Sequence, residues 1–200
     1  APGVAEPERI AAAESALDET ERLLATFAAL VDIARAESGL SRETFAPVEL
    51  TALIADMAEL FGPVIEDAGQ TLVVQAPPGP VVVPAHELLL RQALGNLLHN
   101  AAVHAGPGAT VSLTLEPGDP IRLVVADSGP GVPEASRGAV QERFVRLDEA
   151  RSTPGSGLGL AIAAACAKLH GGALELSDNR PGLRVGLALH PPLAPGPASA

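Results

Sequence analysis

Four polar residues recur at four-residue steps in one segment and predict a polar stripe along a helix. They are Gln92, Asn96, Asn100 and His104, and the opposite side of the same helix carries leucines and an alanine. None of the four is Lys or Glu, whereas an ordinary solvated helix face is richly charged. An amide oxygen is a hard ligand that suits Mg²⁺, which also binds substrate phosphates. The stripe alone is equally consistent with such a site and with a helix whose amides face water.

A glycine-rich turn follows a strand that ends in an acidic residue. The carboxylate of Asp127 at a strand end can face a pocket and accept a hydrogen bond from an exocyclic amine. Gly129 and Gly131 carry no Cβ, so their backbone can come close to a flat ring. Taken alone, the same segment is also a common tight turn.

A second glycine cluster, over residues 155–160, leads directly into a helical segment. Backbone N–H groups at the start of a helix bind anions, and this arrangement suits a phosphate. No Gly-Lys-Ser/Thr follows, and the spacing is not that of a dinucleotide-binding loop, so the common nucleotide motifs are excluded. In chain order, the three segments could supply metal, base and phosphate contacts.

The elements that must position these residues follow from hydrophobic periodicity. Helices are predicted over residues 49–67, 85–104 and 156–170. Strands are predicted over residues 71–75, 81–83, 110–115, 121–126, 174–177 and 183–189. Residues 116–119 carry a hairpin signal between two of these strands. Helices mixed with antiparallel pairs predict an α+β fold, a two-layer sandwich with a mixed, mostly antiparallel sheet packed on helices.

A long helix is predicted over residues 7–38, ahead of this sandwich. Apolar residues recur along it at seven-residue steps, namely Ile10, Leu17, Leu24 and Val31. Such a stripe needs a partner helix, as in a helical bundle. Gly39 ends the helix, and Pro47 with its polar neighbours predicts a linker. We therefore expect a helical region over 1–45, a second domain over 46–190 and a disordered tail over 191–200.

Composition narrows the classes of function. The chain has 200 residues and a net charge of −11, which disfavours nucleic acid as a partner. No apolar run reaches the length of a membrane span, and we expect a cytoplasmic location. The single Cys166 excludes a disulfide framework and is predicted to be a small core residue. His86, His99, His170 and His190 fit no zinc pattern and are interpreted as structural, with His170 at a helix end where an imidazolium would suit the helix dipole.

Four segments in this order resemble the ATP-binding domain of two-component sensor histidine kinases, a branch of the ATPase superfamily shared with gyrase and mismatch-repair ATPases. Residues 90–101 are similar to the N box of that family, and residues 127–132 to its G1 box. Glu142-Arg143-Phe144 resembles the F box and residues 155–160 the G2 box. The resemblance covers nearly the whole chain, and its N-terminal part looks like the second helix of the dimerisation and phosphotransfer bundle.

The resemblance implies ATP and Mg²⁺ as cofactors. It implies that Asn100 coordinates Mg²⁺, that Asn96 lines the phosphate end and that Asp127 binds the adenine amino group. Arg146, in a segment that resembles the ATP lid, would neutralise the γ-phosphate, and it joins Asn96 and Asn100 as a catalytic residue. The implied nucleotide-binding residues are Asn100, His104, Asp127, Gly129, Gly131, Arg146, Gly155, Gly157, Leu158 and Gly159.

Two departures from the family pattern bear on the reaction. Val103 stands where Lys or Arg often reaches the phosphates, which predicts weaker phosphate binding. Asn96, and not Glu, lies one turn before Asn100, so the general base that related ATPases use to activate water is missing. This favours phosphoryl transfer to a protein over hydrolysis by a conformational ATPase.

No His precedes His86, whereas the family carries its phosphoaccepting His on the first bundle helix. The resemblance therefore implies a fragment of a longer kinase, which transfers the γ-phosphoryl group to a His outside this chain for relay to a response-regulator Asp. The implied partners are a response-regulator receiver domain and a second copy in a homodimer of the parent, which could be membrane-anchored. The alternative is a degenerate nucleotide-binding or docking module that acts by dimerisation without kinase activity.

Overall fold

The computed structural model describes residues 31, 45–142, 145 and 157–190. In chain order the strands are β1 (Ala46–Glu49), β2 (Thr71–Gln75), β3 (Val82–Ala85), β4 (Thr110–Glu116), β5 (Ile121–Asp127), β6 (Leu174–Asp178) and β7 (Leu183–Leu189). The α-helices are α1 (Leu50–Asp67), α2 (Glu87–His104) and α3 (Gly159–Leu169). Two short 3₁₀ turns, Glu134–Ser136 and Ala139–Gln141, follow β5.

The main sheet has five strands in the order β2-β4-β5-β7-β6. Strand β2 pairs parallel to β4, and every other neighbouring pair in this sheet is antiparallel. The predicted hairpin forms as β4 and β5, with Leu113 opposite Val125. The predicted mixed, mostly antiparallel sheet is therefore confirmed.

The three helices pack on this sheet and enclose the larger of two buried hydrophobic clusters in the described residues. Helix α1 lies against β2 and β4, α2 against β4 and β5, and α3 against β6 and β7. The apolar side predicted for α2 is buried as expected, with Leu90 and Leu94 inaccessible to solvent. Since α2 also packs against α1 and α3, its remaining side is where polar residues can meet the start of α3.

Pro47 lies in strand β1, so the prediction of a linker is wrong for Ala46–Glu49, whereas residues 41–44 of the predicted linker lie outside the described residues. Strands β1 and β3 form a separate antiparallel pair in which Pro47 lies opposite Pro84. A two-stranded sheet consists only of edges, so a proline without an N–H group is tolerated there. Because proline is rare in strands, the prolines in β1 and β3 kept the sequence patterns from predicting this pair.

Other boundaries moved by a few residues. Strand β3 covers Val82–Ala85 and not 81–83, and α2 starts at Glu87 because His86 occupies the N-cap. Helix α3 is described from Gly159. The predicted N-terminal helix, apart from Val31, and the predicted tail over 191–200 lie outside the described residues, so the three domain boundaries stay predictions. None of the helices in the described part is both long and apolar enough to cross a membrane.

Candidate functional site

Asn96 and Asn100 lie one turn apart on α2, and both are partly buried. The side-chain nitrogen Nδ2 of Asn96 is buried, and no described residue offers it a hydrogen-bond partner. A buried amide donor left unpaired is costly, and in native proteins it marks a position where a ligand or bound water completes the hydrogen bond. The pair of amides is therefore the first part of a candidate ligand site.

The start of α3 lies directly against these two amides. A Cβ atom placed on Gly159, the first residue of α3, would lie 3.3 Å from Nδ2 of Asn100 and 3.5 Å from Cβ of Asn96. Residue Leu158 occupies the N-cap and gives no side-chain hydrogen bond to the first turn. The N–H groups at this helix start receive no side-chain cap, so they suit an anion. The two neighbouring amide side chains suit a cation bound to that anion.

Asp127 is the last residue of β5, and its carboxylate is held from one side only. The N–H groups of Gly129 and Leu183 donate to Oδ1, at N–O distances of 2.8 Å and 3.4 Å. Oδ2 accepts no hydrogen bond from the described residues. One oxygen is thus fixed by the backbone, and the other keeps its capacity to accept a hydrogen bond within the described part of the chain.

The glycine turn after β5 is fixed by backbone contacts on both sides. A Cβ on Gly129 would meet the backbone of Ala105, the residue that ends α2. Gly131 has a φ of +73°, and a Cβ there would lie 2.8 Å from the carbonyl oxygen of Gly182. The structure thus requires glycine at both positions for backbone reasons. The admission of a ring at Gly131 stays a prediction.

Two residues of the site were not found from the sequence. The Nδ2 group of Asn179 donates to the carbonyl oxygen of Asp127 over 2.8 Å. Gly182, with a φ of +109°, packs against the same carbonyl, and a Cβ there would overlap it. The available signal was the Asn-Arg-Pro-Gly turn over residues 179–182, because Pro-Gly marks a tight turn between two strands.

The remaining predicted site residues divide into described and undescribed ones. His104 is exposed in the last turn of α2. Gly157 has a φ of +69°, and Leu158 is buried against Ala161 and Ile162. Arg146 and Gly155 lie outside the described residues, as do Arg143 and Phe144 of the predicted F box.

The described residues form no cluster of three or more His, Cys, Asp or Glu that could hold a metal ion by itself. Mg²⁺ commonly binds through few protein ligands, several waters and the phosphates of its substrate. The amide oxygen of Asn100, beside the start of α3, fits that pattern. The donor set therefore fits Mg²⁺ that arrives with a phosphorylated ligand.

Comparisons with known proteins identify the family of this domain. Residues 85–195, more than half of the chain, match the family model of the histidine kinase-, DNA gyrase B- and HSP90-like ATPases. The chain is 40% identical over 181 residues to the probable sensor histidine kinase TcrY of Mycobacterium tuberculosis, a match that covers 87% of this chain and 37% of TcrY. It is 52% identical over 95 residues to the histidine-protein kinase/phosphatase MprB of a Mycobacterium species, covering 46% of this chain and 18% of MprB. The chain thus spans well under half the length of these relatives.

Solved structures give the same result. The mycobacterial sensor histidine kinase MprB superimposes with a TM-score of 0.61 at 36% identity, over 74% of this chain and 100% of that one. Full-length ShkA in complex with AMPPNP superimposes with a TM-score of 0.72 at 28% identity, over 95% of this chain and 41% of ShkA. The chain therefore belongs to the histidine kinase-, DNA gyrase B- and HSP90-like ATPase family, and it contains the catalytic ATP-binding domain of a sensor histidine kinase.

Proposed function

We propose that this chain binds Mg-ATP and transfers the γ-phosphoryl group to a histidine supplied by another segment of a two-component sensor kinase. The observation that carries this proposal is the buried Nδ2 group of Asn96, which has no hydrogen-bond partner among the described residues, on a residue that lies next to Asn100 and the start of α3. That arrangement combines an anion-binding helix start, an amide oxygen for a hard cation and a donor that no described residue satisfies.

Each described residue has one role in the proposal. Asn100 holds Mg²⁺ through its amide oxygen, and bound Mg²⁺ supplies neutralisation of the phosphate charge. Asn96 donates from Nδ2 to the phosphate end of the nucleotide. The first N–H groups of α3 and the glycines 157 and 159 hold phosphate oxygens. Asp127 accepts from the exocyclic amine of adenine, with Oδ1 already held by Gly129 and Leu183.

The remaining site residues are proposed from their positions in the sequence. Leu158, which is buried, fixes the start of α3 beneath the phosphates. Gly129 and Gly131 keep the turn beside the base narrow, and His104 lies beside the phosphates. We assign Arg146 to the γ-phosphate. Gly155, in the segment that resembles the G2 box, is assigned to the phosphates as well.

In this proposal the nucleophile of the transfer step is a histidine outside this chain, and His104 belongs to the nucleotide site. A nitrogen of the acceptor imidazole attacks the γ-phosphorus, and the bond from that phosphorus to the bridging oxygen of ADP breaks. Asn96 lies one turn before Asn100, and an amide cannot take a proton from water as a carboxylate can. Positioning and charge stabilisation therefore carry the reaction, and transfer to a protein is favoured over hydrolysis.

The partners of the whole kinase belong to the same proposal. TcrY, a relative over 87% of this chain, is named a probable sensor histidine kinase, which supports a receiver domain of a response regulator as the acceptor of the phosphoryl group. We further propose that the parent acts as a homodimer through its N-terminal helical region. Anchoring of the parent at a membrane, with this domain in the cytoplasm, completes the proposal.

Calorimetric titration with Mg²⁺ and a non-hydrolysable ATP analogue tests the nucleotide site. The chain without substitutions, called the parent chain in the experiments below, should bind the analogue. Asp127→Asn should reduce the affinity by about tenfold or more, and Asn100→Ala should make the remaining affinity independent of Mg²⁺. Gln75→Ala, on the exposed edge strand β2, is the control and should bind as the parent does. If the parent chain binds no nucleotide, the proposal is refuted. The alternative of a docking module that acts without kinase activity would then be favoured.

A further inference from the structure

His170 is a buried histidine with a defined tautomer. It occupies the C-cap of α3 and is 1% exposed. The backbone N–H of His86 donates to Nε2 of His170 over 3.1 Å, and Nδ1 lies 2.8 Å from the carbonyl oxygen of Cys166. A backbone N–H can only donate and a carbonyl can only accept, so Nδ1 carries the proton and Nε2 is the acceptor. The ring is neutral, and the imidazolium predicted for this helix end is wrong.

The partner of His170 is the residue that caps helix α2. Nδ1 of His86 accepts from the N–H of Leu89 over 3.4 Å, and the carbonyl of His86 accepts from the N–H of Leu90 over 3.1 Å. His170 therefore holds the N-cap of the helix that carries Asn96 and Asn100. A helix start that loses its cap loses about 1 kcal/mol of stability.

Helices α2 and α3 pack antiparallel and are fixed to each other at two places. At one end, the last turn of α3 reaches the start of α2 through His170 and His86. At the other end, Gly159 at the start of α3 lies against Asn100 in the second half of α2. The first contact is a hydrogen bond in the interior, and the second is the proposed nucleotide site.

Several elements enclose the imidazole. Phe45, directly before β1, stacks on it at a centroid distance of 4.8 Å with an interplanar angle of 25°. The carbonyl of His170 accepts from the N–H of His190, whose own ring lies 3.1 Å from Asp119. Within the described part of the chain, the titratable groups that face His170 are therefore His86 from α2 and Cys166 from α3.

We propose that His170 is a positioning residue for the nucleotide site, because its neutral imidazole clamps the start of α2 to the end of α3. The clamp sets the separation of Asn100 from Gly159 at the other end of the helix pair. A proton on Nε2 would face the N–H of His86, so two donors would meet and the clamp would open. Burial, aided by His86, lowers the pKa of His170 below its ordinary value, so the clamp is closed at neutral pH. Its effect on the ligand rests on the proposed function.

Amide hydrogen exchange at the start of α2 tests the clamp without any nucleotide. In the full chain, the protection factors of the His86 and Leu89 amides should fall when the pH is lowered from about 7.5 to 5.5. Gln carries an amide oxygen near the position of Nε2 and does not titrate, so His170→Gln should keep the protection and remove its pH dependence. His86→Asn keeps a non-titrating cap and should retain the pH dependence. Equal pH dependence in the parent and in His170→Gln would overturn the proposal.

Nucleotide affinity at pH 7.5 tests the positioning role. His170→Phe keeps the ring but loses the acceptor, and should weaken binding of the Mg²⁺-bound analogue about threefold to tenfold. His170→Gln should bind as the parent does, and His190→Gln is the control for removal of a histidine elsewhere. If His170→Phe fails to fold, the pH dependence of amide hydrogen exchange in the parent chain and in His170→Gln still tests whether the clamp exists. Parent-like affinity in His170→Phe would overturn the positioning role, whereas a parent without affinity would refute the proposed function.

Discussion

Gly182 packs against the main-chain carbonyl of Asp127, so closely that a Cβ at position 182 would overlap its oxygen. The same carbonyl accepts from Nδ2 of Asn179, and the neighbouring Leu183 N–H donates to Oδ1 of Asp127. The loop between β6 and β7 thus supports both the backbone and the carboxylate of the residue proposed to bind the base. Its contribution to the site is steric as well as polar.

Gly182→Ala should lower the free energy of unfolding by roughly 3 kcal/mol or more, because the overlap adds to a positive φ. Gly106→Ala is the matched control, since Gly106 has a φ of +81° and none of the described atoms lies within 4 Å of its Cβ position. There only backbone strain of about 1–2 kcal/mol should appear. Urea unfolding of both variants measures the difference. Similar losses in the two variants would contradict a steric role for Gly182.

Gly159→Ala should weaken binding of the Mg²⁺-bound ATP analogue by about threefold to tenfold without destabilising the fold. The added Cβ would press on Asn100 at 3.3 Å, and the Asn100 side chain must shift to relieve the contact. Alanine is the better helix former, so the stability of α3 should not decrease. Gly138→Ala adds the same methyl group where no described residue lies within 4 Å, and it should leave the affinity unchanged. Calorimetry measures the affinity of both variants for the Mg²⁺-bound analogue. Equal affinities of Gly159→Ala and Gly138→Ala would contradict the role of the contact between Gly159 and Asn100.

The unfolding free energy should decrease as the pH falls from about 7.5 towards 5.5, and His170 should account for part of this decrease. Burial lowers the pKa of native His170, whereas the unfolded residue titrates near 6.5. Between these two pKa values the unfolded chain binds more protons, so acid favours unfolding. His170→Gln lacks this contribution, and its stability should fall less over the same range. Denaturant unfolding at several pH values measures this, and parallel curves would contradict the assignment.

Cys166 should not react with an alkylating reagent in the native protein and should react fully in urea. The thiol is 2% exposed, and burial raises its pKa far above the ordinary value. Alkylation requires the thiolate form and access of the reagent to the sulfur. In the native core the thiol stays protonated and is shielded from the reagent. Mass spectrometry after timed iodoacetamide labelling measures the reaction. Rapid labelling of the native chain would place Cys166 outside the core.

The polar stripe on α2 could be predicted because helical periodicity alone separates Asn96 and Asn100 from the buried leucines. The hairpin of β4 and β5 was equally accessible, since two apolar runs flank a turn rich in Gly and Pro. Both features depend only on residues that are close in sequence.

Features that depend on distant residues could not be predicted. The pairing of Pro47 with Pro84 contradicts local propensity and is explained only by the edge position of both strands. The contacts of Gly182 and Asn179 with Asp127 join segments that are far apart in the chain. The neutral state of His170 follows from burial and from His86, and the position of His170 at a helix end suggested the opposite.

The proposed site draws on three segments that are separate in the chain: helix α2, the turn after β5 and the start of α3. A nucleotide that contacts all three acts as a reversible cross-link of the folded state and has no counterpart in the unfolded chain. At a free ligand concentration of 100 times Kd, such a ligand stabilises the fold by about 2.7 kcal/mol. The melting temperature of this chain is therefore itself a readout of its ligand, and a screen of nucleotides by thermal shift can rank bases and phosphate chain lengths without an acceptor protein.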